Sequence, residues 1–273
     1  MPTKEKDYYR QVILKDLSQH SLVYLVPLSD FHIGVKNPPL GKIQGYIDWI
    51  KNRPNAFTIL NGDMINGATK DTSAELYDDL ITPDQAYDQV LELLLPIRHR
   101  VLMVTRGNHE ETIYRKVGAD YTARLARDLG DVPYKPDGGM VGVRLGLNNH
   151  TAMCWMYAVH GWGGARTIGA KVKKAQDLSL VANVHIYILS HDHTENLNRG
   201  NIMEPPRAMI NFNKPCYWTI GRRLYVNTGG FIPYTGYVQR KGYTPQDLGT
   251  PRIRIEFKES KREGYHLDLH ASI

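Results

Sequence analysis

The chain has 273 residues, of which 42% are hydrophobic and 23% charged, a composition typical of globular proteins. Its two cysteines, Cys154 and Cys216, are too few for a disulfide framework or a cysteine-rich zinc site. Its apolar runs are too short to span a membrane, and residues 1–7 lack the apolar core of a secretory signal, so we expect a cytoplasmic protein with no membrane partner. The net charge of +6 suits nucleic acid as a partner, but an ordinary basic surface explains it equally well.

Apolar runs alternate with helical patterns in the first half of the chain. The runs predict buried strands at residues 22–28, 56–60 and 101–105. Residues 41–51 carry apolar side chains at helical spacing, and residues 82–95 predict a helix with Thr82 as its cap and Pro83 in its first turn. This order of strands and helices predicts a parallel sheet with right-handed crossovers.

The second half of the chain is richer in strands. The pattern predicts helices at 119–129 and 166–181, strands at 140–147, 151–159, 184–189 and 224–226, and an irregular region at 194–221. Two alternating runs within residues 252–270 predict a terminal β-hairpin. Because no linker or repeat interrupts this order, we expect one domain over residues 1–273.

Five predicted strands end in side chains that can bind a metal ion. These side chains are Asp30 and His32, Asp63, Asn108 and His109, His160, and His191 and His193. In open α/β sheets, ligands bind outside the carboxyl ends of the strands, so we expect these groups to converge. Oxygen and imidazole ligands without a thiolate suit manganese, iron, zinc or similar ions.

The order of these motifs resembles the calcineurin-like metallophosphoesterase family. The matching blocks are Asp30-x-His32, Gly62-Asp63, Gly107-Asn108-His109-Glu110, His160-Gly161 and His191-x-His193. They fall within residues 24–230, and one departure is Ser190, where the family usually has glycine. The resemblance implies an α/β fold, a four-layer α/β/β/α sandwich of two mixed sheets flanked by helices, with the metal site at the carboxyl ends of the strands.

The resemblance also implies two metal positions. The implied ligands are Asp30, His32 and His193 for one ion, Asn108, His160 and His191 for the other, and Asp63 for both. His109 is then free to protonate the leaving oxygen. Two divalent ions can clamp and polarise a phosphoryl group and supply a bridging hydroxide that attacks phosphorus. Manganese is the first choice, with iron, zinc, nickel and cobalt as alternatives.

Two residues of the third block have a further interpretation. Arg106 and Asn108 are candidates for substrate binding, and Arg106 is also, with His109, a candidate catalytic residue. An arginine before Gly-Asn-His-Glu resembles the protein serine/threonine phosphatase branch, in which it contacts the substrate phosphate. However, residues 62–67 lack the Asp-Arg pair of that branch. We expect Glu110 to support the ligands rather than to be one.

Two later segments can be interpreted in two ways each. The basic helix at 166–181 is either a solvated face or a track for a phosphate backbone. Tyr234 and Tyr237 either pack inside the protein or stack on a base. The roles of residues 68–80 and 194–221 and the oligomeric state are left open by the sequence.

The sequence thus predicts an enzyme, a two-metal-dependent phosphoric ester hydrolase. The positive charge, the missing Asp-Arg pair and the tyrosines favour a phosphodiesterase or nuclease-like enzyme. The alternative is a phosphomonoesterase, such as a protein serine/threonine phosphatase or a nucleotidase, which Arg106 supports. A catalytically inactive scaffold or a nucleic-acid-binding protein is the rival class, and the filled ligand positions argue against it.

Overall fold

Two mixed β-sheets lie face to face in the protein, with helices on their outer faces. The structure is a computed structural model that describes residues 10–67, 80–163, 165, 167–205, 212–213, 215–234, 239, 244–261 and 263–273. Residues 68–79, Arg166 and Tyr237, which have roles in the sequence-based predictions, lie outside this part of the chain. None of the helices within the described ranges combines the length and apolar character that a membrane crossing requires.

The described elements alternate between strands and helices in the first half of the chain. These elements are β1 (Ile13–Leu17), β2 (Leu22–Leu25), α1 (Leu40–Lys51), β3 (Ala56–Asn61), α2 (Pro83–Leu94), β4 (Val101–Thr105), α3 (Asn108–Val117) and α4 (Tyr121–Asp128). The second half contains β5 (Gly139–Leu147), β6 (His150–Val159), α5 (Ile168–Asp177), β7 (Ile186–Leu189), β8 (Asn196–Glu204), β9 (Thr219–Asn227), β10 (Arg252–Ser260) and β11 (Gly264–Ser272). Short 3₁₀ turns follow α2 and α5.

The first sheet has the strand order β11-β10-β2-β3-β4. Its strands β2, β3 and β4 are parallel, while β10 pairs antiparallel with both β2 and β11. The parallel strands are joined through helices α1 and α2, as the sequence pattern predicts. Because β2, β3 and β4 run in the same direction, the loops that follow them lie at one edge of the sheet.

The second sheet has the strand order β1-β5-β6-β7-β9-β8. Strands β6, β7 and β9 are parallel, and so are β1 and β5, whereas β5 pairs antiparallel with β6 and β8 pairs antiparallel with β9. The carboxyl ends of β6 and β7 therefore also share one edge. Main-chain and side-chain contacts from Asn61, at the end of β3, reach His160 and Val159 at the end of β6. The edges of the two sheets at which these parallel strands end therefore lie next to each other.

The hydrophobic core forms three layers that match this arrangement. One cluster between the sheets includes Val23, Ile59, Met156 and Ile255. A second cluster joins the outer face of the first sheet to helices, with Ile43, Ile47 and Ile50 of α1 spaced to lie on one helical face. A third, smaller cluster lies between the second sheet and α5. The expected four-layer sandwich of two mixed sheets is confirmed.

Helix α2 shows how local sequence sets an element's start. Thr82 caps it by accepting a hydrogen bond from the Gln85 amide, while the Gln85 side chain accepts one from the Thr82 amide. Pro83 occupies the first helical position, where no main-chain donor is needed. This cap agrees with the sequence-based assignment of Thr82.

The structure differs from the sequence-based expectation at the second sheet's β8 edge. Residues 194–221 were expected to be irregular, but β8 and the start of β9 form an antiparallel hairpin there. Strand β9 is also longer than the predicted strand at 224–226. Strand β8 lies at the edge of the sheet and is rich in polar residues, so it lacks the apolar alternation that identifies a half-buried strand.

Candidate metal centre

Seven side chains from five strand ends converge where the two sheets meet. Those that follow strands of the first sheet are Asp30, His32, Asp63 and Asn108; those that follow strands of the second sheet are His160, His191 and His193. Apart from His191 and His193, whose accessibility is intermediate, and Asn108, they are buried. The structure thus brings together the ligands that the strand-end motifs predict.

The backbone at five of these positions adopts a left-handed conformation. The φ angles are 54° at Asp30, 47° at His32, 53° at Asp63, 71° at His191 and 48° at His193. A residue other than glycine in this region costs on the order of 1–3 kcal/mol and is kept only where its surroundings hold it. The Asp30 amide donates to Gly62 O and the His32 amide to Asp63 O, so the loops after β2 and β3 hold each other.

The first group of ligand atoms consists of Asp30, His32 and His193, whose atoms all lie within 4.8 Å of one another. Nε2 of His193 lies 3.2 Å from Asp30 Oδ1 and 3.2 Å from His32 Nε2. Asp30 Oδ1 is buried and has no hydrogen-bond partner among the described residues. Two imidazole nitrogens and a buried carboxylate oxygen that face one another can hold a divalent cation.

The second group consists of Asp63, His160 and His191, again within 4.8 Å of one another. Asn108 belongs to the same cluster, because its Oδ1 lies 3.1 Å from His160 Nε2 and 2.6 Å from His191 Nδ1. An amide oxygen, a carboxylate and two imidazoles form a mixed oxygen and nitrogen donor set. This set can hold a second divalent cation.

Asp63 lies between the two groups. Its Oδ2 is 3.2 Å from Nε2 of His160 in the second group and 3.9 Å from Nε2 of His32 in the first. Its Oδ1 accepts a hydrogen bond from the amide of His109, at the start of α3. The carboxylate is therefore in reach of both groups, as a bridging ligand must be.

Hydrogen bonds to the far ring nitrogens orient three histidines. Nδ1 of His160 lies 2.7 Å from Asn61 O, so Nδ1–H donates to this carbonyl and Nε2 faces the cluster. Asn66 acts on two rings at once: its Oδ1 lies 3.3 Å from His32 Nδ1, and its main-chain O lies 2.5 Å from His109 Nδ1. Asn66 is thus a supporting residue that the sequence did not reveal, since no motif marks it.

Glu110 holds the main chain of the loop that carries Asp63. The carboxylate is buried, and its two oxygens accept hydrogen bonds from four amides, those of Asp63, Met64, Ile65 and Gly107. The contacts are with the main chain rather than with the ligand cluster. They agree with the expectation that Glu110 supports the ligands.

The pKa values show why these carboxyls attract cations. Burial alone would raise the pKa of Asp30, but His193 beside it outweighs burial and keeps the pKa well below its usual range. The pKa of Asp63 is likewise low, because His160 outweighs its burial. Both groups are therefore carboxylates at neutral pH.

The histidines respond to the same environment in opposite directions. Burial lowers the pKa of His32 to about 4, so its ring is neutral and can act as a ligand. Burial also acts to lower the pKa of His160, but the adjacent Asp63 carboxylate raises it to about 10. A positive charge is thus favoured beside Asp63.

A sequence model described as calcineurin-like phosphoesterase matches residues 26–209, about two thirds of the chain. The chain belongs to the calcineurin-like phosphoesterase family. The match covers the ligand-bearing loops after β2, β3, β4, β6 and β7.

Among curated relatives of this chain, the DNA polymerase II small subunit of Thermoplasma acidophilum is 28% identical over 101 residues. The aligned part covers 35% of this chain and 21% of that protein, so the chain spans about a fifth of the length of the relative it matches. GAP50, the anchor in the inner membrane complex of Plasmodium, is 11% identical with a TM-score of 0.49, covering 91% of this chain and 88% of that chain. The NAD nucleotidase NadN of Haemophilus influenzae is 9% identical with a TM-score of 0.40, covering 90% of this chain and 49% of that chain. These structural similarities are too weak to indicate a shared activity.

Arg106, a predicted substrate contact, is held by protein carboxylates. Its guanidinium lies 2.6 Å from Glu111 and 3.0 Å from Asp120, and it stacks on the ring of Tyr114 at 4.5 Å from the centroid. The side chain is only 12% exposed. Two acidic partners neutralise the charge that would bind a substrate phosphate.

The basic helix α5 holds the loop that carries two candidate ligands. Lys174 forms an ion pair with Asp192 at 2.9 Å, and Lys171 donates to Asp192 O and to Thr194 Oγ1. Asp192 is buried and lies between His191 and His193 in the chain. These two lysines therefore point into the protein. Their contacts within the chain account for part of the basic sequence pattern of this helix, so that part does not indicate binding to nucleic acid.

Ser190, where the family usually has glycine, belongs to a buried chain of polar side chains. Its Oγ accepts from Asn61 Nδ2 at 2.6 Å and from Thr228 Oγ1 at 2.8 Å. Thr105 donates to Asn61 Oδ1, and Ser29 lies 2.8 Å from Thr228 Oγ1. The hydroxyl thus links loops of both sheets behind the ligand cluster.

Proposed function

We propose that this protein is a metal-dependent phosphodiesterase with a nuclease-like substrate. The observation that carries the proposal is the pair of ligand groups at the carboxyl ends of both sheets, with Asp63 within 3.9 Å of a histidine of each group. Family membership supports hydrolysis of a phosphate ester, and the intact donor set argues against an inactive scaffold. The proposal retains the prediction made from the strand-end motifs.

The donors present fit two divalent ions. In the proposed assignment, Asp30, His32 and His193 hold one ion, Asn108, His160 and His191 hold the other, and Asp63 contacts both. Two such ions, when bound, would polarise the phosphoryl group and generate a strong nucleophile at neutral pH. Mixed oxygen and nitrogen donors suit manganese, which we favour, as well as iron, zinc, nickel and cobalt.

His109 is the proposed general acid. Its Nδ1 contacts Asn66 O, which orients the ring, and its main-chain amide donates to Asp63 Oδ1, which holds the residue beside the shared carboxylate. The other ring nitrogen, Nε2, is left to donate a proton to the leaving oxygen of the substrate. General acid catalysis of this kind contributes about 10²–10⁴-fold to the rate.

Three observations favour a diester over a monoester. The monoesterase alternative depends on Arg106, whose charge Glu111 and Asp120 neutralise. The similarity to a DNA polymerase small subunit supports a nucleic-acid-related substrate, although it covers 35% of this chain. The net charge of +6 also favours a polyanion. A monoesterase remains the second candidate, because Arg106 lies directly before the third ligand block.

The first experiment compares manganese-supported hydrolysis of a p-nitrophenyl phosphodiester and of the matching monoester. We expect faster diester cleavage and complete loss of turnover in Asp63→Asn, because one change weakens both metal positions. The matched control is Asp48→Asn, which makes the same change on the exposed face of α1. Wild-type activity of Asp63→Asn would overturn the two-metal proposal, and faster monoester cleavage would favour the Arg106 alternative.

A second experiment addresses His109. We expect His109→Ala to retain its metal content but to slow esters with poor leaving groups more than esters with good ones, because only poor leaving groups need the proton. Metal analysis and a series of aryl esters measure both quantities. Equal slowing across the series would remove the acid role.

We also infer that residues 1–273 form one metallophosphoesterase domain. Strand β10 pairs with β2, so the last part of the chain completes the sheet that the first part begins. Limited proteolysis of the folded protein should then release no stable fragment that retains only one sheet. Isolation of such a fragment would indicate two domains.

A further inference from the structure

A depression on the protein surface borders the first ligand group. It is shallow and partly open to solvent, and His193 and Gly230 are among the residues that line it. Gly230 packs closely there, since a Cβ at this position would lie 3.3 Å from Asp30 Cβ and 3.4 Å from His193 Cγ. A molecule in the depression would therefore lie beside a group bound at the candidate metal centre.

The walls of the depression differ in polarity. Ile232, Leu248 and the ring of Tyr234 provide apolar surface, and Tyr234 is 38% exposed. A polar rim is formed by exposed residues of the 244–247 segment, in which Gln246 Nε2 donates to Thr244 Oγ1. Asp247 adds a carboxylate to the same rim. A partly exposed aromatic ring beside hydrogen-bonding groups suits a flat ligand with a polar edge.

The charges indicate which part of a substrate the depression would bind. Asp247 on its rim repels a phosphate, whereas the candidate metal centre attracts one. A carboxylate accepts from ring or exocyclic N–H groups, and a glutamine amide both donates and accepts. The depression therefore suits an uncharged heteroaromatic ring attached to a phosphate that lies at the metal centre.

We propose that this depression is a nucleobase subsite, in which the base stacks on Tyr234 and its polar edge contacts Gln246 and Asp247. The proposal rests on the proposed phosphodiesterase function and specifies its substrate class, namely a nucleoside phosphodiester. Lys171, which also lines the depression, is held by Asp192 O and Thr194 Oγ1, so we assign it no role in the base contact.

The test uses two diesters with the same leaving group. One is the p-nitrophenyl ester of thymidine monophosphate, which carries a base, and the other is methyl p-nitrophenyl phosphate, which does not. Stacking of a base on an aromatic side chain corresponds to a change in affinity of about 5- to 150-fold. The wild-type protein should therefore prefer the nucleoside diester, chiefly through a lower KM.

Two variants of one side chain separate stacking from other effects. We expect Tyr234→Ala to reduce the preference for the nucleoside diester, measured as the ratio of kcat/KM values, by about 5- to 150-fold. Tyr234→Phe keeps the ring and should change this ratio less than about threefold. Asp247→Asn should alter the preference between thymidine and adenosine esters, because it changes an acceptor into a group that also donates.

Binding of thymidine, a nucleoside without a phosphate and therefore independent of the metal centre, is measured by calorimetry and separates this proposal from the proposed function. If both diesters are cleaved equally well and Tyr234→Ala leaves their ratio unchanged, the subsite is refuted while the phosphodiesterase function stands. If neither diester is cleaved, the proposed function fails and binding alone decides. Binding that Tyr234→Ala weakens would then support the subsite, and no binding would overturn it.

Discussion

Replacing Glu110 by glutamine tests the hydrogen bonds that hold the loop of Asp63. Oε1 of Glu110 accepts from the amides of Met64 and Ile65, and Oε2 accepts from those of Asp63 and Gly107. A glutamine has one oxygen, and its NH₂ group would face two amide donors with no acceptor between them. Two buried N–H groups would lose their partner.

The size of the effect follows from these two donors. A buried donor without an acceptor costs about 1–3 kcal/mol, so two of them cost about 2–6 kcal/mol. Removing a buried charge offsets part of this cost, because burial and the nearby Asp63 carboxylate raise the pKa of Glu110 to about 7. We expect a net loss of about 2–4 kcal/mol, or a fall in Tm of roughly 4–16 °C for a chain of this size.

Thermal unfolding with a chelator present measures this loss without any contribution from metal binding. Glu92→Gln is the matched control, since it makes the same change on the exposed side of α2 and should cost less than about 0.5 kcal/mol. Metal affinity should also fall by about 10- to 100-fold, because the amide of Asp63 loses its anchor. A Glu110→Gln protein that melts within about 2 °C of the Glu92→Gln protein would refute the reasoning.

Three further experiments, two with substitutions and one with chemical labelling, test other parts of the structure. Gly107→Ala should reduce metal affinity and stability, because a Cβ at this position would lie 2.1 Å from Asp63 Oδ1. The control Gly45→Ala lies in an open part of α1 and should change neither quantity. Metal titration and thermal unfolding measure the two quantities. Tyr87 donates a hydrogen bond to Asp128 that lowers the pKa of this carboxyl, so its stabilisation is present above the unfolded pKa near 3.8 and is lost as pH falls. Tyr87→Phe should therefore flatten the fall in Tm from about pH 5 to 3, and an unchanged slope would contradict this. Cys154 is fully buried and burial raises the pKa of its thiol, so mass spectrometry should find it unlabelled by iodoacetamide in the folded protein and labelled in urea.

Two strands that lead to ligands, β3 and β4, could be predicted because they are buried on both faces. Strands β3 and β4 are continuous apolar runs that end abruptly in Asn61 and Thr105, and such runs need no tertiary information to be recognised. The family motifs follow directly after them. The positions of Asp63 and His109 relative to the sheet were therefore readable from the sequence.

Other features depend on contacts between distant parts of the chain. Nothing local marks Asn66 as the partner of both His32 and His109, because these contacts form only when three loops meet. The same holds for Arg106, whose partner Asp120 lies fourteen positions further along the chain. The sequence pattern did not predict strand β8 for a different reason. It is a polar edge strand, so its pairing with β9 defines it and a buried apolar face does not.

The division of the ligands between the sheets has a mechanical consequence. Asp63 follows a strand of the first sheet, and His160 and His193 follow strands of the second, so neither sheet by itself carries a complete donor set. Ions held there would cross-link the two layers, in addition to the side-chain packing between the sheets and the hydrogen bonds that join their loops. Because a ligand stabilises only the form that binds it, the layers would separate more readily once the ions leave. The ions proposed to act on phosphorus would thus also stabilise the contact between the two sheets at the edge where the ligands lie.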